Sequence, residues 1–131
     1  MNELFDYAPN IHPMIVHFPI AILILAIGLN LIAFFLPDNW WDEKKTTLIY
    51  VLGSIAAIIT YFTGRSAADT VFLPTEAQSV LTDHADWALW TVLFFGIYSI
   101  LRIALHWFKK LETKSIQVFA LVLALPGLFF L

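Results

Sequence analysis

The side chains best able to do chemistry in this chain are its four histidines, His12, His17, His84 and His106. Imidazole serves as a proton carrier, a metal ligand or an axial ligand of haem iron. There is no cysteine. That excludes disulfides, thiolate metal sites, thiol catalysis and covalent haem attachment through a Cys-x-x-Cys-His motif. No Ser-His-Asp order, phosphate-binding glycine loop or paired catalytic carboxylate is present. The net charge of −3 comes with no basic run, which argues against nucleic acid as a partner.

The elements that hold these residues follow from hydropathy. The chain is 60% hydrophobic and 13% charged over 131 residues, with a mean hydropathy of +0.81. A soluble domain is closer to half apolar and a quarter charged, and a core this small cannot bury such an excess. The bilayer is the second solvent that removes the conflict. About 20 apolar residues carry a helix across roughly 30 Å of hydrocarbon. Four stretches meet or approach that length, at about 14–36, 47–64, 86–108 and 115–131. The expected fold is therefore all-α, a single four-helix transmembrane domain over residues 1–131, and not a soluble enzyme.

The first run reads as a retained span, because no Lys or Arg precedes Lys44 to form a signal-peptide leader. The fourth is barely long enough, contains Pro126-Gly127 and has no polar tail after it, the pattern of a chain that continues further. Between the second and third spans, residues 75–81 read as a short amphipathic helix. Thr82 or Asp83 reads as the N-cap of the third span.

Cationic residues set an orientation. Lys44, Lys45, Arg102, Lys109, Lys110 and Lys114 fall at one end of the expected bundle, and Arg65 alone falls at the other. The N-terminus is then extracytoplasmic, and His12, His17 and His84 share the outer leaflet with Gly64-Arg65. At about 100° per residue, His17 shares a stripe with Ala21 and Gly28. Gly53, Ala57, Thr60 and Gly64 form a stripe of small residues. His84, Ala88, Thr91, Phe95, Tyr98 and Arg102 form a third. All three are expected to face inward.

Two imidazoles at one depth beside small residues point to a b-type haem, with His17 and His84 as axial ligands. Gly64 would allow the macrocycle close, and Arg65 would meet a propionate. The bland reading is that these histidines sit at the interface, bonded to loops and water. A non-haem metal site is the other chemistry, built from His12, His17, His84 and Asp83 or Asp86, although no metal-ligand spacing supports it. The small-residue stripe equally describes a helix-packing seam. His106, one turn from Lys109-Lys110, reads as a headgroup residue. Arg102 would pair with Asn30 or snorkel to the interface.

The run His12-Pro13-Met14-Ile15-Val16-His17-Phe18-Pro19-Ile20-Ala21 resembles the signature of a bacterial family, the domain of unknown function numbered 2231. Gly64, with Ala67 and Ala68 after it, and His84 fall at matching, looser positions. The resemblance covers most of the chain. It implies a four-helix protein of the bacterial cytoplasmic (inner) membrane. It also implies a redox or haem-linked role, since some members accompany c-type cytochrome modules. The expectation that results is a haem b subunit for electron transfer to a quinone or an outer cytochrome, with His12 as an alternative ligand. The competing expectations are a structural or assembly subunit of a larger membrane complex, and a metal-binding or transport module.

Overall fold

In the computed structural model, residues 14–37, 40–70 and 74–131 are described, with Ala67 and Thr70 described as backbone alone. His12 and the apolar Val71-Phe72-Leu73 segment lie outside them. All described secondary structure is helical: α1 (His17–Phe34), α2 (Glu43–Thr70), α3 (Thr75–Trp107) and α4 (Lys114–Ala124), with 3-10 turns at Lys110–Glu112 and Leu125–Phe129. Three of these helices are long and apolar enough to cross a membrane, over His17–Phe34, Glu43–Ser66 and Thr75–Trp107. Lys114–Phe129 is shorter and also apolar. Only 22–33% of each spanning window is buried within the protein. Lipid must therefore cover exposed side chains such as Phe18, Leu25, Ile59 and Ile97,.

The helix limits differ from the expected ones for local reasons. Asp42 sets the start of α2: its Oδ1 accepts the Lys44 N–H at 2.8 Å, an N-cap bond to one of the donors a first turn leaves orphaned. Pro74 sets the start of α3, as an extended residue (φ −57, ψ 150) just ahead of it. No Gly or Pro occurs between Thr75 and Gly96, so nothing breaks the helix there. The expected separate helix at 75–81 is the beginning of α3, and the expected cap at Thr82 or Asp83 lies inside it. The 33 residues of α3 span about 50 Å at 1.5 Å per residue, more than the hydrocarbon requires. At the other end, Pro126 lacks the donor that an α-helix needs, and α4 gives way to a 3-10 turn with Pro near its start.

Packing is tightest where small residues permit it. A Cβ on Gly53 would stand 2.7 Å from Leu23 Cδ2 and 2.8 Å from Leu23 Cγ, so α1 rests directly on the α2 backbone there. The expected small-residue stripe is therefore a seam at Gly53, and Ala57 and Thr60 continue it as buried residues. Gly53→Ala is expected to cost about 2 kcal/mol by overpacking. Gly28→Ala and Gly96→Ala, which meet nothing within 4 Å, should be neutral or slightly stabilising. Thermal unfolding in detergent compares the three.

The inward face of α1 differs from the expected one. Pro19, Leu23, Ala26, Ile27 and Asn30 are buried, whereas His17 and Ala21 are exposed. The larger apolar residues, not the histidine stripe, win the contact with α2, because they bury more surface. The stripe expected on α3 faces inward through Phe95, Tyr98 and Arg102, with Ser99 beside it. Ser54 joins α2 to this face by donating to Phe95 O at 2.9 Å and bonding Ser99 Oγ at 2.8 Å.

Candidate functional site

Polar side chains in hydrocarbon are costly unless paired, so they locate the two ends where chemistry can occur. At one end, the last turns of α2, which carry Gly64 and Arg65, run beside the first half of α3. A cavity of about 660 Å³ lies between the helices there. Its wall includes Val16, Pro19 and Ile20 of α1, Ala57, Thr60, Gly64 and Arg65 of α2, and His84, Ala88 and Thr91 of α3. The volume lies within the roughly 300–1,000 Å³ that cofactor and small-molecule sites occupy. The C-terminal turn closes one side: Thr91 Oγ1 donates to Phe130 O at 3.1 Å. Arg65 sits at the rim, 6.0 Å from the Tyr61 ring and 3.4 Å from its hydroxyl.

Of the residues singled out from sequence, the cavity brings together His84, Arg65 and Gly64. It does not include His17, although the adjoining Val16 is part of the wall. His12 lies outside the described residues. Thr60 was read only as a small residue of the seam. It is 5% exposed, it lines the cavity, and its Oγ1 has no hydrogen-bond partner. Native structures rarely bury a polar group without one.

Tested against haem, the residues fit in three respects. There is an imidazole, there is a guanidinium for a carboxylate, and small side chains with an unsatisfied hydroxyl leave room between helices. His17 is the respect in which the fit is incomplete, because it stands outside the wall. A three-ligand metal site fares less well: among the described residues no three His or carboxylate side chains form a metal-binding group.

The opposite end holds a polar network. Arg102 is fully buried, and its Nη2 donates to Glu43 Oε2 at 2.6 Å and Glu43 O at 3.2 Å. Its Nε donates to Thr47 Oγ1 at 2.8 Å, and its Nη1 to the Tyr98 hydroxyl at 3.3 Å. Tyr98 in turn donates to Ala120 O at 2.7 Å, which ties in α4. Thr47 Oγ1 also makes a 2.7 Å hydrogen bond with His106 Nε2. The guanidinium lies 5.3 Å from the Tyr50 ring centroid, within cation–π range.

Arg102 therefore neither snorkels nor pairs with Asn30. It takes Glu43, which at 21% side-chain exposure offers a full charge where an amide offers only a dipole. His106, read as a headgroup residue, belongs to the same network. A sequence signal existed: Glu43, Thr47 and Tyr50 repeat at helical spacing on α2, opposite Tyr98 and Arg102 on α3.

A family described as "Predicted membrane protein (DUF2231)" matches residues 8–130. The chain belongs to this family. The match covers the helices that form both the cavity and the Arg102 network, and the resemblance seen in the His12–Ala21 run is thereby shown. No curated protein and no solved structure matches this DUF2231 chain.

Proposed function

We propose that this chain is a haem b binding subunit of the bacterial cytoplasmic membrane, and that the cavity beside His84 holds the cofactor. The observation that carries the reading is Thr60, a buried hydroxyl without a partner. It faces a cavity that also presents an imidazole and a guanidinium. Haem would supply one-electron chemistry there.

His84 would hold the iron, and Arg65 would hold a propionate through charge-assisted N–H···O bonds. Gly64 and Ala57 would let the ring lie against α2, and the Thr60 hydroxyl would gain a partner. His17, next to the wall at Val16, is the second ligand in this reading, and it would close the iron to oxygen. The distribution of Lys and Arg favours an orientation with this end of the bundle, and the N-terminus, outside the cell. Electrons would then pass to a quinone or to an outer cytochrome.

Without cysteine, a haem has no thiol with which to form thioether bonds to the chain. Acidified acetone should therefore extract protohaem from protein purified out of its own membranes, in stoichiometric amount and with the mass of the unmodified cofactor. A colourless extract would count against the reading.

A further inference from the structure

The Arg102 end carries a second cavity, of about 560 Å³, separate from the one beside His84. Its wall combines an apolar side, with Ala33, Phe34 and Leu121, and a polar side, with Lys44, Lys109 and Lys114. Asp42, Glu43 and Glu112 also line it. Glu43 is taken by Arg102, and Lys114 Nζ lies 4.9 Å from the Phe34 ring centroid, so the wall carries three lysines and two further carboxylates.

Two observations point to a ligand. Asn30 lines the cavity and is 3% exposed, and its amide Nδ2, although beside the Tyr50 hydroxyl, makes no hydrogen bond of ordinary length and angle. Lys109 is the one non-glycine residue at positive φ among the described residues. At φ 57 and ψ 27 it holds the left-handed position just past a helix end, which glycine usually fills. A lysine kept in that conformation, in a cavity wall, marks a position where the side chain matters.

We propose that this cavity binds the zwitterionic headgroup of a phosphatidylethanolamine-type phospholipid. The three lysines match the phosphate, since an ammonium is a compact donor to it. Asp42 and Glu112 match the lipid's own ammonium, and Asn30 Nδ2 donates to a phosphate or ester oxygen. The apolar side at Phe34 and Leu121 meets the beginning of an acyl chain. Exposed Trp40, Trp107 and Phe108 surround this end, as aromatic side chains do at headgroup level. Basic pockets between helix ends are a known mode of headgroup capture. The site is independent of any cofactor beside His84.

The test is native mass spectrometry of the full chain, stripped of lipid in detergent. Dioleoyl phosphatidylethanolamine is titrated against dioleoylglycerol, which has the same chains and no headgroup. The phospholipid should bind saturably and much more tightly. Lys109→Gly suits the left-handed backbone, so it should keep its helical circular dichroism while weakening the phospholipid by about fivefold, the effect of one ammonium near a lipid surface. Soluble phosphoethanolamine should bind far more weakly than the lipid. Equal affinity for the two lipids, or no change in Lys109→Gly, overturns the proposal. Phosphoethanolamine binding as tightly as the lipid also overturns it, in favour of a soluble phosphate ligand.

Discussion

Glu43→Ala is expected to lower the stability of the bundle by about 3 kcal/mol, because it strands a buried guanidinium without its anion. Arg102 has no exposed surface and cannot reach water without leaving the helix interface. Its bonds to Thr47 and Tyr98 satisfy N–H groups but supply no negative charge. The double variant Glu43→Ala/Arg102→Leu should recover most of the loss, since an apolar residue in place of the ion needs no counter-charge. Thermal unfolding in detergent reads both effects. Equal stability of Glu43→Ala and the wild type would mean that the 2.6 Å pair contributes nothing, and that the interhelical contacts at Ser54 and Gly53 hold this end alone.

His84→Ala carries the second large effect. In the proposed reading it removes the anchoring ligand, and the haem bands of the purified protein should vanish. His17→Ala should act differently, because His17 stands outside the cavity wall. Haem should remain at lower occupancy, with one axial position open, so that the reduced protein takes up carbon monoxide while the wild type does not. Arg65→Ala leaves the iron ligands in place and should weaken retention without changing the reduced band positions. A His17→Ala protein indistinguishable from the wild type in spectrum and in carbon monoxide binding would take His17 out of the site. In that case His84 alone would serve from the protein.

The membrane fold was legible because hydropathy is a bulk property: three helices could be placed from apolar runs without knowing any contact. Their limits were less legible. The polar stretch from Thr75 to Asp86 looks like a connection by composition, yet it contains no helix breaker and continues α3 out of the hydrocarbon. The face of α1 that turns inward is less legible for a related reason. A histidine at a helix end can stay in the polar interface at little cost, so it does not select the inward face. The contact with Gly53 instead selects Leu23, whose bulk fits where a Cβ is missing.

The buried network at Arg102 was half visible. Tyr98 and Arg102 fell on one stripe, but the partner Glu43 lay outside the expected second span, which began at Thr47. The helix extends four residues further than apolar composition alone marks, and those residues bring the anion. The cavity beside His84 was legible as a meeting of Gly64, Arg65 and His84. The missing partner of Thr60 was not, since satisfaction of a hydroxyl depends on neighbours in space and not on residue type.

The most direct test of the haem reading is the absorption spectrum of the wild-type chain, purified from the membranes in which it was made. It is recorded oxidised and then after dithionite. A b-type haem held by two imidazoles should give a Soret band that shifts to the red and sharp visible bands on reduction, in amounts matching the chain. A sample with no absorption beyond its aromatic side chains, in either state, would contradict the reading and leave the cavity without its proposed occupant.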